Sequence, residues 1–430
     1  MRSLKLEAMK TDVAIIGAGP AGLMASISCA EAGAKTIIVE TNTSAGRKLL
    51  KTGRTRCNLT HTGSVEDFVK VYGRFGRCLR HSLYNFSADD LRRFFEQHNL
   101  KTKVENDGCV FPASERATDV VRVLVDEARI LSVRFVYGRK VQSIEKNANG
   151  FVIQTDKDKI TVNCIIIATG GVTWPHTGST GDGYKFAQVF GHTVIEPKAC
   201  LTRLITSENW PVQLAGVGVE NVVITAKSGK QKFCTCGPMM FTHDGIGGPA
   251  VFDLTRLITD FLPSSDEPIK VTIDLLPTYQ IERLDKEIIS LCEKNPRKEL
   301  AGVLSRLIPH SLSLDIVEQL NPSAAILAGQ LQRHQRRQLL EMLKRLPLSI
   351  IAAGPIAEAT VTRGGVSTDE INPKTMESKL CPGLFFAGEV MNVDGPCGGF
   401  NLQIAFSTGW LAGKMAAEST KQKKNDCKIG

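Results

Sequence analysis

No run of about 18 unbroken apolar residues occurs in the chain, so no membrane-spanning helix is expected. The apolar stretch from Val13 to Ala30, behind a few basic residues, has the outline of a signal peptide. Asp12 opens that stretch, however, and the glycines inside it follow a spacing with its own explanation. Internal repeats and low-complexity segments are absent, which sets aside solenoids and propellers. Aromatic residues make up only 6% of the chain, little material for a base-stacking platform. No His/Cys/Asp/Glu constellation has metal-ligand spacing, and Cys234-Thr-Cys236 falls one residue short of the common C-x-x-C. The twelve cysteines are scattered, several of them, such as Cys29 and Cys164, inside apolar runs. A disulfide framework is therefore not expected, and a reducing, cytoplasmic compartment fits best.

What remains is ordinary globular composition, 42% apolar and 23% charged, in a chain of 430 residues, long enough for two or three packed units. The formal charge of +9 is dispersed; Arg333, Arg336 and Arg337, and Lys421, Lys423 and Lys424, are its densest clusters. These read as solvated faces.

The informative region starts at Val13. Val13–Ile16 is a short apolar strand leading into Gly17-Ala18-Gly19-Pro20-Ala21-Gly22. A helical pattern follows from Leu23, Gly33 ends it, and Thr36–Glu40 is a second strand. In such a β-α-β unit the first glycine makes the tight turn and the second lets the backbone approach a pyrophosphate. The third lets the helix pack close to the sheet. The helix N-terminus offers unpaired N–H groups to the phosphates. Glu40, eighteen residues past the last glycine, can accept both ribose hydroxyls, and an acid there disfavours a 2′-phosphate. FAD or NAD therefore suits the site better than NADP. The choice is made downstream. Ile165–Gly171 is an apolar strand closing on Ala-Thr-Gly, and Leu384–Glu389 is a second closing on Gly-Glu. Both resemble the signatures that two-strand-crossover flavoproteins place at their dinucleotide, and a nicotinamide dehydrogenase needs no such C-terminal return. FAD is the expected cofactor.

Gly46-Arg47-Lys48 and Gly53–Asn58 add adjacent cations to a glycine turn just past the ribose acid, where they can clamp phosphates. With Gly46–Leu50, Arg56–Thr60, Gly171–Gly183, Thr375–Ser378 and Gly388–Gln403, the chain resembles the YhiN/BaiN-like family of NAD(P)/FAD-dependent oxidoreductases, in the same order from about residue 10 to 415. The resemblance implies an α/β fold, a three-layer Rossmann-type FAD-binding domain split by an inserted β-barrel-like domain and a helical domain. The segments expected are 10–190 and 351–418 for the FAD domain, 191–277 for the β-rich insert, 278–350 for the helical insert and 419–430 for a polar tail. Expected cofactor contacts are Gly17, Ala18, Gly19, Pro20, Ala21, Gly22, Glu40, Arg47, Lys48, Arg56, Asn58, Val141, Thr169, Gly170, Gly388, Glu389, Gly399, Asn401 and Leu402. Trp174, His243 and Phe400 are the substrate-side candidates. Arg54 and Thr55 stand where relatives usually have glycine, and Asn392, Phe400 and Ile404 where they usually have Asp, Tyr and Trp. That departure leaves no catalytic acid or base assigned.

Flavin exchanges a hydride at N5 while the protein supplies position and electrostatics. The leading expectation is an oxidoreductase that takes electrons from NADH or NADPH and delivers hydride to an enone-like small molecule. With no second G-x-G-x-x-G, the nicotinamide must dock transiently. The alternatives are an aminoacetone-oxidase-like amine oxidase using O₂, and a flavin-bearing RNA-associated protein. The last conflicts with the low aromatic content, so nucleic acid is not the expected partner. The sequence leaves the oligomeric state unassigned.

Overall fold

The computed structural model describes residues 11–262, 267–321 and 325–429. Two compact units emerge, one from the chain up to Lys198 together with Val361 onward, the other Ala199–Thr360.

The first unit is built on a seven-stranded sheet. Thr11–Ile16 lies between Thr36–Glu40 and Lys159–Ile167, parallel to both. Arg134–Tyr137 extends the parallel set on one side. Lys159–Ile167 changes partner midway: its first half pairs antiparallel with Gly150–Thr155, its second half parallel with Leu384–Phe386. Val13–Ile15, Ile165–Ile167 and Leu384–Phe386 are almost wholly buried. Strands covered on both faces read as unbroken apolar runs, as these do. Five parallel strands thus end on one edge, where open α/β sheets bind ligands.

Two helices lock that edge. Pro20–Glu31 follows the first strand, and Phe400–Ile429 closes the chain. A Cβ added at Gly409 would overlap the carbonyl oxygen of Ala21, and one at Gly413 that of Ala25. Only glycine lets the two backbones come this close. The final helix also departs from expectation, since residues 419–429, read as a polar tail, continue it. The segment lacks apolar periodicity, but Lys and Gln propagate a helix that is already nucleated.

The second unit contains a closed antiparallel barrel of Leu204–Thr206, Gly245–Gly247, Gln231–Thr242, Gly218–Ser228, Ile269–Asp274 and Leu346–Ala353. Helices Ile281–Lys294, Leu300–Leu304, His310–Leu320 and Arg333–Arg345 fall between its last two strands in sequence. Leu284, Ile288, Leu339 and Leu343 share one core with Ile224, Ile273 and Leu348. The helices of 278–350 are thus an excursion between two strands of the barrel. The barrel takes its last strand from beyond the helices, so neither part closes its core alone. The stretch 194–198, read as part of the insert, belongs to the first unit, its strand Val194–Cys200 pairing with Val361–Val366. Among the described residues no helix is long and apolar enough to cross a membrane.

Candidate functional site

The turn after the first strand is tight for a visible reason. Gly17 has φ +103°, and a Cβ there would sit 2.6 Å from the Ala168 carbonyl oxygen. A Cβ at Gly22 would overlap the Gly17 carbonyl oxygen, whereas one at Gly19 would meet nothing within 4 Å. Gly19 therefore faces open space. Behind it the helix starts with Pro20 at its first position and carries no side-chain cap. An uncapped helix N-terminus beside an open backbone is an anion cradle.

Glu40 stands at the end of the next strand. Ala18 N–H donates to its Oε2 at 2.8 Å, and Asn42 donates from backbone N–H and Nδ2 to its Oε1, each at 2.7 Å. The carboxylate is thus fixed in place next to the glycine turn. Gly46 N–H donates to Ala18 O at 2.9 Å, which tethers the basic loop to the same turn. Exposed Arg47 donates to Asn42 Oδ1 at 2.6 Å. Lys48 turns inward, its Nζ 2.6 Å from Thr173 Oγ1 and 2.7 and 3.0 Å from the carboxylate oxygens of Glu389. Glu389 also accepts from Thr362 N–H at 2.8 Å, and Thr362 Oγ1 accepts from Val172 N–H at 2.9 Å. A Cβ at Gly388 would lie 2.7 Å from Ala21 Cβ, so the C-terminal return reaches the start of the first helix.

The other expected contacts are distributed differently. Val141 is buried in the core, just beyond Gly138 and Arg139, whose N–H groups donate to Asn42 O and Glu40 O. Gly170 has φ +74°, and Thr169 Oγ1 is buried without a hydrogen-bond partner. Arg56 is spent on structure: it pairs with Glu105 at 2.7 Å and lies 4.1 Å over the Phe111 ring. In the amide orientation that satisfies its neighbours, Asn58 donates to Thr60 O and Val110 O and accepts Gly399 N–H. Asn401 staples its own loop, bonding Gly395 N–H, Gly395 O and Pro396 O, while Leu402 is half-buried in the final helix. Phe400, expected to meet substrate, is buried against His61 (4.9 Å, stacked), Phe68 and Tyr72. Trp174 is half-buried at φ +54°, a strained conformation in the loop where it was expected, with its ring tilted 5.6 Å from His176. His243 is exposed at a hairpin end of the second unit. Thr173 and Thr362 complete the Lys48–Glu389 network, and Asn42 links Glu40 to Arg47 and the Thr177 carbonyl. Thr173 stands inside the Gly171–Gly183 motif and Asn42 two residues past the ribose acid, whereas Thr362 left no signal.

The thiols nearby are inert by burial, which pushes Cys57 up to about 12 and Cys109 up to about 11. Burial also raises the Tyr184 phenol, so it stays protonated. Among the described residues, no group of three or more His, Cys, Asp or Glu could hold a metal ion.

Thr55 has φ +70°. A β-branched residue in that region is strained, by about 1–3 kcal/mol. Thr55→Gly is expected to raise the melting temperature by about 1–3 °C, whereas Thr55→Ala is expected to recover less. A melting scan of the three proteins checks this, and a lower melting temperature for the glycine variant would refute the strain.

A parallel sheet with an open glycine turn, a fixed ribose-side acid and a C-terminal Gly-Glu returning to that turn defines the class: this is an FAD-dependent oxidoreductase of the Rossmann type. The chain belongs to the family described as HI0933-like protein Rossmann domain, which matches residues 11–415. It is 33% identical to the 3-dehydro-bile acid delta(4,6)-reductase of Clostridium scindens, over 94% of this chain and 99% of that one. It is 32% identical to the ribosomal RNA dihydrouridine synthase of Escherichia coli, over 95% and 99%. In structure it resembles the open conformation of a flavocytochrome c3 fumarate reductase, with a TM-score of 0.52 at 17% identity, covering 96% of this chain and 79% of that one. That likeness concerns the fold.

Proposed function

We propose that this FAD-dependent oxidoreductase saturates a carbon–carbon double bond conjugated to a carbonyl, with NADH or NADPH docking transiently as the electron source. One observation carries the reading. Two relatives matched over 99% of their length are named for a bile-acid Δ4,6-reduction and for dihydrouridine synthesis in ribosomal RNA. A 3-ketone with Δ4,6 unsaturation and a uracil ring both place C=C beside C=O, so a single hydride chemistry serves both.

Bound FAD supplies that hydride at its N5. Glu40 accepts the ribose hydroxyls, and the uncapped start of Pro20–Glu31 takes the pyrophosphate at Gly19. Lys48 and Glu389, paired with each other and fixed by Thr173 and Thr362, would hold the ribityl–phosphate segment on their open side. Trp174 walls the substrate side. Uracil in RNA is the substrate class within this chemistry that the formal charge of +9 favours.

The test is anaerobic mixing of the purified yellow protein with NADH, NADPH or a simple amine, followed at the flavin absorbance. The nicotinamides are expected to bleach it faster than the amine, and O₂ to restore the colour slowly. Rapid bleaching by the amine with stoichiometric peroxide would overturn the reductase in favour of an amine oxidase.

A further inference from the structure

The barrel of the second unit carries three lysines in one line across three strands. Lys232 is paired with Lys227, and Lys227 in turn with Lys270 on the next strand. All three are exposed, as is Lys230 in the intervening turn. Directly opposed residues project to the same side of a sheet with their Cβ atoms about 4.5–5.5 Å apart, and like charges so placed repel. Lys270 Nζ donates to Ser349 Oγ at 3.0 Å, but among the described residues no ion pair joins any of these four lysines to a carboxylate. The next row on the same face is Cys234, Thr225 and Thr272, all uncharged. The carboxylate beyond it, Asp274, is held by Lys344 at 2.7 Å.

The Glu208 carboxylate reaches Lys270 only through Ser349, whose N–H it accepts at 3.0 Å. A folded protein that lines up like charges without direct ion pairs carries a standing electrostatic cost, which a polyanion laid along the row removes. We propose that this face, Lys227, Lys230, Lys232 and Lys270, docks the phosphodiester backbone of the RNA that carries the substrate uracil. The proposal rests on the RNA reading given above. The row spans about 10 Å across three strands, and the threonine hydroxyls beside it add hydrogen-bond donors for phosphate oxygens. The surface carries no aromatic platform in that row. It therefore fixes the position of the RNA rather than reading its sequence, which reconciles RNA binding with the low aromatic content.

The experiment uses the full-length FAD-bound protein and a fluorescein-labelled, uridine-containing RNA hairpin, followed by anisotropy across a salt series. Lys227→Gln/Lys232→Gln/Lys270→Gln is expected to weaken binding at least about tenfold at low salt and to reduce the log–log salt slope by about 2–3. Its melting temperature should hold or rise, because repulsion is removed, and its rate of flavin reduction by NADPH should be unchanged. The control Lys286→Gln/Lys294→Gln/Lys298→Gln removes the same charge from exposed positions of the same unit and should leave RNA affinity near wild type. Equal losses in both triples would reduce the effect to net charge and overturn the docking face. So would wild-type protein that ignores the hairpin but binds phosphatidylserine vesicles. If the hairpin fails to bind while NADPH still reduces the flavin and an enone reoxidises it, the docking face falls and the reductase stands. If the triple abolishes RNA binding in a protein that NADPH cannot reduce, the docking face stands and the reductase falls.

Discussion

Glu389→Ala is expected to give a folded protein that has lost most of its hold on FAD. Lys48 presents two short contacts to Glu389, at 2.7 and 3.0 Å, and Glu389 also accepts Thr362 N–H. Truncation leaves a partly buried ammonium group with only the Thr173 hydroxyl and no counter-charge, and a backbone donor without its acceptor. Removing one member of a fully buried pair costs about 3–5 kcal/mol. These side chains retain 21% and 22% exposure, so a discounted figure of about 2 kcal/mol is appropriate. If that network holds the ribityl–phosphate segment, FAD affinity should fall at least about thirtyfold. Glu389→Gln, which keeps the acceptor for Thr362 but not the charge, should fall between alanine and wild type. Titration of apoprotein with FAD measures both, and wild-type affinity in the alanine variant would remove Glu389 from the cofactor site.

The second large effect separates two glycines of the same turn. Gly22→Ala places a Cβ inside the Gly17 carbonyl oxygen, so the helix start or the turn must move. Overpacking of this kind typically costs about 1–3 kcal/mol, and here the displaced atoms are backbone. The variant should purify colourless, with its melting temperature lowered by several degrees. Gly19→Ala meets no protein atom within 4 Å. It should therefore melt like wild-type apoprotein yet bind FAD about a hundredfold more weakly, because the methyl group takes the space of the pyrophosphate. Equal FAD retention in Gly19→Ala and wild type would show that the open side of the turn is not where the cofactor lies.

The glycine turn and Glu40 were legible because their whole argument is local: two strands, one helix and the residues between them. Arg56, Asn58, Asn401 and Phe400 stand in equally distinctive motifs, but a motif does not say which way its side chains face. Arg56 is directed onto Phe111 and Glu105 by the pairing of Thr60–His61 with Cys109–Pro112, a contact that no spacing within Gly53–Asn58 reveals. Asn58 reaches Gly399 across 341 positions of sequence. Both hold loops beside the turn rather than offering free groups. The lysine row was invisible for a similar reason. Lys227 and Lys232 face each other through a hairpin, but Lys270 joins them only through the closed barrel. The return of the chain to the barrel after the helices was invisible for the same non-local reason, since strand Leu346–Ala353 pairs with Ile269–Asp274 across them.

The contact of Gly409 and Gly413 with the first helix bears on the order in which the chain can mature. A ribosome delivers the glycine turn first, yet the strand Leu384–Phe386 and the helix from Phe400 come last. Ala199–Thr360 is continuous in sequence and emerges whole while the opening β-α-β unit still lacks its closing helix. Domains fold as units during synthesis, so the middle of this protein is free to finish before its beginning. The cofactor half must wait, its apolar helix face uncovered, until the helix Phe400–Ile429 has left the tunnel. Chaperone dependence and early cofactor supply should therefore matter most for the residues made first.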